Sequence, residues 1–169
     1  GARVSAPVQN INLGRTLLDL AGLEAMEFPG VSLLGALSGD APSVPRFAIG
    51  AHGHCAAVEK DGWLCVLSIG SNKVPGVQKH QVELFDLRAD PGCLNDLVDD
   101  EFARAKQLRS GLIEWLSADR IEGMAVNRAQ HSVELLEAIA ALGYATESGG
   151  REGPYYVEDP EAEWCKRFR

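Results

Sequence analysis

Residues 81–116 read QVELFDLRADPGCLNDLVDDEFARAKQLRSGLIEWL, and the order of signals in them decides the architecture. Val82 and Leu84, with Asp86 in phase, alternate with Glu83 and Phe85, the two-residue period of a strand. Asp90-Pro91-Gly92 ends that strand, because proline has no N–H to give to a ladder. Asp99 or Asp100 is placed to cap a helix, with Glu101 near its positive end. Phe102, Ala105, Leu108, Leu112, Trp115 and Leu116 then recur on one helical face. A strand, a sharp corner and an amphipathic helix predict a sheet with a helix laid across it.

Upstream, the texture is that of further strands. Residues 46–51 are one candidate, and 54–60 with 63–69 are the clearest pair. Asp61-Gly62 joins that pair, and a two-residue Asp-Gly link marks a type I′ hairpin because both positions need positive φ. The continuous apolar run from Trp63 to Leu67 predicts a strand covered on both faces. Residues 70–79 read as a polar loop, and 81–87 as the fourth strand.

The flanks differ. Residues 8–23, VQNINLGRTLLDLAGL, set Leu13, Leu17, Leu20 and Leu23 on a helical stripe, with Asn12 as N-cap and Gly22 as stop. Residues 24–45 are loop-like, with a short apolar turn at 31–37 that should pin the loop to the core. A second helix is expected over 129–142, ending at Gly143, and 146–169 reads as a tail or an arm against the body. The predicted class is α+β: a small antiparallel sheet of about four strands packed against a C-terminal helix. Residues 1–45 would be the end of a larger α/β domain, 46–120 a C-terminal subdomain, and 121–169 a helix and tail.

Composition bounds the function. The chain has 169 residues, enough for one domain with a real core, and 46% hydrophobic content. Its net charge of −8, spread along the chain, argues against a nucleic-acid binder. No apolar run reaches the ~20 residues that span a bilayer. The start at Gly1, without Met or a leader-like segment, suggests a processed chain, an expression product or a fragment, and the texture favours a fragment. Cys55, Cys65, Cys93 and Cys165 have no metal-type spacing. Cys55 and Cys65 could face each other across the hairpin as a disulfide, and buried thiols are the plainer reading.

With these elements laid out, the chain resembles the C-terminal part of a sulfatase of the alkaline-phosphatase-like superfamily. VQNINLGRTLLDLAGL is similar to that family's Asp-Leu-x-Pro-Thr-Leu-Leu-Asp-Leu-Ala-Gly helix. FPGVSLLGALSG is similar to the Gly-x-Ser-Leu loop that follows it, and VELFDLRADPGCLNDL to the Glu-Leu-Tyr-Asp-Leu-x-x-Asp-Pro strand with its closing helix. LLEAIAALGY resembles a Leu-Gly-Tyr ending. The departures are Asn12 for the family's Asp, Arg15 for its Pro, Leu64 for a frequent Lys, and Gly92-Cys93 after Asp-Pro. The Glu usual in the strand after the loop is also missing from residues 46–52.

The resemblance implies a parent that hydrolyses sulfate esters with a formylglycine nucleophile and a calcium ion. It implies a missing N-terminal catalytic domain as partner and a sulfated small molecule or saccharide as substrate. Phosphodiesterase and phosphonate hydrolase relatives, or a non-catalytic binding module, are the alternatives. Formylglycine arises in a Cys/Ser-x-Pro-x-Arg motif, which none of the four cysteines opens, and Ser43-Val44-Pro45-Arg46 is one residue short. No catalytic residue and no metal ligand is therefore assigned to this chain.

What remains is a set of candidate substrate contacts. His52 and His54 share a face at strand spacing. They could begin a zinc site that lacks further ligands nearby, line the mouth of the parent's active site, or simply end a strand. Lys73 and Lys79, with His80, could attract an anionic sulfate ester, or belong to a solvated loop. Asp86 and Asp90 are a carboxylate pair at a corner, where turn capping is the simpler account. Trp63 and Trp115 lie on apolar faces and read as core.

Overall fold

The computed structural model describes residues 7–23, 28–37, 39, 44–50, 53–70, 76–118 and 156–169. The helix expected over 129–142 and the Leu-Gly-Tyr segment lie outside the described residues. In chain order the elements are α1 (Ile11–Leu20), α2 (Leu34–Leu37), β1 (Arg46–Ile49), β2 (Cys55–Lys60), β3 (Trp63–Ser68), β4 (Val82–Asp86), α3 (Phe102–Ser117) and α4 (Glu163–Arg167). The strands form one four-stranded antiparallel sheet in the order β1-β2-β3-β4. The α+β architecture expected from residues 81–116 is the one observed.

The β2–β3 hairpin turns at Asp61 (φ 53°) and Gly62 (φ 81°), as the Asp-Gly link requires, with Lys60 opposite Trp63. That register decides which side chains meet. Cys55 pairs with Ser68 and Cys65 with Val58, so the two cysteines sit on opposite faces. All four cysteines are free thiols, and the disulfide weighed for Cys55 and Cys65 does not form.

One face of the sheet carries Ala56, Val58, Cys65, Leu67, Val82 and Leu84, all buried. Helix α3 lies on this face and adds Ala105, Leu108, Leu112 and Leu116 to the same core. The expected stripe of α3 is therefore real, with Phe102 and Trp115 at its half-buried margins. Trp115 stacks on Phe47 of β1 at 4.9 Å, which seals the β1 end. Trp63 is likewise packed against the core, under the Arg104 guanidinium at 4.3 Å. Burying Cys65 in this setting pushes its thiol up to about 12.

The opposite face is less covered. Leu64 and Val66 are only half-buried, so the double coverage expected for β3 is incomplete. Its apolar run reads like a central strand of a parallel sheet, whereas among the described residues the helix packed on this sheet, α3, covers its other face.

Two capping expectations are corrected. Asn12 does not cap α1; it lies inside the helix and is buried, and Asn10 occupies the cap position without a side-chain bond. Asn12 Oδ1 instead accepts the Val31 N–H at 3.2 Å, while Thr16 Oγ1 accepts the Leu33 N–H at 2.9 Å. Residues 31–37 are thereby tied to α1 and not to the sheet core, and Leu37 stays exposed. Gly22, at φ 70°, ends α1 as expected, with the Leu23 N–H returning to the Leu18 carbonyl at 2.9 Å.

Neither Asp99 nor Asp100 caps α3. Glu101 holds that position without a side-chain bond, because a turn bonding Glu101 N–H to Leu97 carbonyl at 2.8 Å comes first. Residues 156–169 form an arm against the body, since Tyr156, Cys165 and Phe168 are buried. Phe168 stacks on Phe102 at 4.9 Å, and Arg167 pairs with Asp99.

Candidate functional site

Four strand ends and turns meet where β2 begins, β3 ends and β4 begins. Ile69 and Gly70 give their N–H groups to the His54 carbonyl, at 2.9 and 3.0 Å. Ser68 gives its carbonyl to the His80 N–H at 2.8 Å. His54 and the Lys79-His80 turn are thus held to consecutive residues of one strand end. Gly70 makes room for this packing: a Cβ there would stand 2.7 Å from His54 Nδ1. His54 is half-buried and Lys79 exposed, so both reach the surface of this end of the sheet. Two of the four candidate contacts are therefore neighbours in the fold. The other two, His52 and Lys73, lie outside the described residues.

His80 is the residue the sequence reading undervalued. It is only 3% exposed and sits at φ 71°, a left-handed conformation that closes the turn into β4. Its Nδ1 lies 2.6 Å from the Tyr156 hydroxyl, and the rings meet edge-on at 5.4 Å. Behind that hydroxyl stands Cys165 Sγ at 3.9 Å, which Arg109 Nη2 also approaches, at 3.8 Å. Arg109, 5% exposed, pairs with Glu158 and lies over the Phe168 ring at 5.0 Å. Burial, then the nearby Lys79, holds the His80 imidazole below its usual range despite Asp159 and Glu158. Burial, reinforced by Cys165, pushes the Tyr156 hydroxyl above its usual range. With both groups neutral, the imidazole tautomer sets which of them donates.

At the far side of the molecule, residues 86–100 line a concavity of about 710 Å³ with Asp86, Asp90, Asp96 and Asp100. Three of its carboxylates serve the backbone. Asp86 accepts from Arg88 N–H at 3.0 Å, and Asp90 from Leu94 and Asn95 N–H at 2.7 and 2.8 Å. Turn capping is the observed role of that pair. Asp96, not singled out in the sequence, does most. Its Oδ1 accepts the Leu84 N–H at 2.9 Å and the Val98 N–H at 3.0 Å, binding the corner to β4.

Among the described residues no group of three or more His, Cys, Asp or Glu side chains could hold a metal ion. No reaction step is assigned to this chain. Among the described residues, no helix is long and apolar enough to cross a membrane.

No family model matches the sequence, and no curated protein matches it. Solved structures do. Ps i-CgsB is 21% identical over 67% of this chain and 25% of that one, with a TM-score of 0.52. The same protein in complex with k-i-k-neocarrahexaose gives 20% identity, the same coverage and a TM-score of 0.53. BT4656, in complex with its substrate D-glucosamine-2-N,6-O-disulfate, aligns at 20% identity over 62% of this chain and 23% of that one, with a TM-score of 0.44. The chain spans about a quarter of the length of each. At these identities the likeness is one of fold.

Proposed function

We propose that this chain is the C-terminal subdomain of a sulfatase-type hydrolase and acts as scaffold and substrate rim for a catalytic body it does not itself contain. The observation that carries this reading is the state of α1. Leu13, Leu17 and Leu20 form its apolar stripe, yet they are 54%, 65% and 65% exposed. A helix with such a stripe folds against a partner surface, and an apolar patch of this kind marks an interface. Residues 1–45 then belong to the larger layer, and 46–120 to the smaller one. A self-sufficient binding module would bury this stripe.

The fold likeness supports the same reading, since the aligned part of this chain covers only 25% of the matched structures. The parent would supply formylglycine and calcium. His54 and Lys79 would reach the substrate from the end of the sheet, and His52 and Lys73 would join them as contacts, with the lysines drawing in an anionic ester. A saccharide is bound in one of the matched structures, which favours a sulfated saccharide as substrate.

The test is an assay of the intact gene product on aryl sulfate and aryl phosphate esters, together with its reading frame. Sulfate hydrolysis and an upstream Cys/Ser-x-Pro-x-Arg motif are expected. Turnover of phosphate esters alone would transfer the chain to the phosphodiesterase and phosphonate hydrolase branch, because fold does not fix chemistry. No turnover and no such motif would leave the chain a non-catalytic module.

A further inference from the structure

We propose that His80 and Tyr156 form a proton-sensitive clasp that releases the C-terminal arm, residues 156–169, from the sheet in mildly acidic solution. The clasp joins parts of the chain far apart in sequence. His80 ends the turn before β4, Tyr156 opens the arm, and their 2.6 Å bond is buried at the seam. Other ties across that seam, among the described residues, include Arg109 with Glu158 and Cys165, Lys106 with the Arg169 carbonyl, Arg167 with Asp99, and Phe168 with Phe102. A change from pH 7.5 to 5 acts chiefly on the imidazole.

Every group that faces the ring bears on its protonation. Lys79 on its own turn and Arg109 from α3 oppose a positive charge there. Glu158 and Asp159 from the arm favour it, and the Tyr156 hydroxyl, backed by Cys165 of α4, is neutral. The bond itself survives protonation, because imidazolium Nδ1–H can donate to the tyrosine oxygen. What protonation adds is a charge with little access to water beside a guanidinium, and burial is the largest effect against it. Separating the arm from His80 removes that cost, because the imidazole regains water.

The sign follows from linkage. The folded imidazole protonates below the 6.5 of an exposed histidine, so the open state binds more protons. Docking of the arm is complete above that value and weakens as pH falls below it, levelling off below the folded value. One proton limits the slope to about tenfold per pH unit in the opening equilibrium. Because His80 also closes the turn that carries Lys79, the same proton couples the arm to the candidate substrate rim.

Amide hydrogen exchange on the 169-residue chain, corrected for the intrinsic pH dependence of exchange, tests this between pH 7.5 and 5. The expected result is that protection of residues 163–168 falls below pH 6.5, approaching tenfold per unit, while β3 stays protected. His80→Asn keeps a residue that tolerates the left-handed turn, and should make arm protection flat over the same range. Flat protection in the wild type, or an equal slope in the variant, overturns the proposal. Should the variant fail to fold, the wild-type His80 imidazole carbon resonance decides: a midpoint below 6.5 that tracks arm opening is expected, and a midpoint at or above 6.5 overturns it.

Discussion

Helices α1 and α3 carry the same kind of pattern and meet opposite fates. Each sets leucines on one face, and a sequence comparison alone would treat them alike. In α3 the stripe is spent: Leu112 is 0% exposed and Leu116 3%, against a sheet that presents Val58, Leu67 and Leu84. In α1 it is unspent, with Leu17 and Leu20 at 65%. The lesson is that periodicity reports a need for a partner surface, not its location. The sheet satisfies α3 within this chain, while the stripe of α1 is left exposed.

The largest difference between the two helices should appear on truncating one leucine from each. Leu112→Ala leaves a cavity in a dry core and should cost about 2–5 kcal/mol in urea unfolding. Leu17→Ala removes an exposed side chain and should stay within about 0.5 kcal/mol. Equal losses would break the comparison.

The next effect sharpens why the sheet side is complete. Asp96→Ala strips one carboxylate oxygen from two backbone N–H groups, those of Leu84 and Val98. Unfolding should be easier by about 1–3 kcal/mol. Asp96→Asn keeps an acceptor there and should recover part of the loss. Thr16→Val is the counterpart on α1, since it leaves the Leu33 N–H without its acceptor. It should cost about 0.5–1.5 kcal/mol of local stability, read as faster amide exchange at residues 31–37 with the sheet unaffected.

The smallest effect is electrostatic. Burial, aided by the neighbouring Asp96, raises the Glu83 carboxyl above its ordinary 4.5. A raised carboxyl means that the folded state holds its proton more tightly than the unfolded one, so charge on Glu83 disfavours folding at neutral pH. Glu83→Gln should therefore stabilise the chain slightly at pH 7, by under about 0.5 kcal/mol, with the gain fading as pH falls through the raised folded value toward 4.5 and absent below it.

Much of the sheet was legible in the sequence because its determinants are local. Asp61-Gly62 fixes a turn type, the turn fixes register, and Val82 with Leu84 fixes a face. The caps were less so. Asn12 precedes an apolar stripe as a cap would, but the helix begins one residue earlier and the side chain serves a loop 19 residues away. The buried polar seam was least legible, because His80, Arg109, Tyr156 and Cys165 share no spacing and meet only once the arm folds back. One signal was present. Arg109 falls among Ala105, Leu108 and Leu112 on the buried face of α3, and a charge there demands a partner from another element. Of the proposed rim, His54 and Lys79 gather at one strand end, which their separation in sequence could not show.

The central claim is that the leucine face of α1 docks on a catalytic body. Thiol labelling at position 17 in a Leu17→Cys variant, read by peptide mass, tests it most directly in the 169-residue chain and in the intact gene product. The account predicts rapid labelling of the chain alone and strong protection in the intact protein. Equal labelling in both, or an intact product with no further residues to supply that surface, would contradict it.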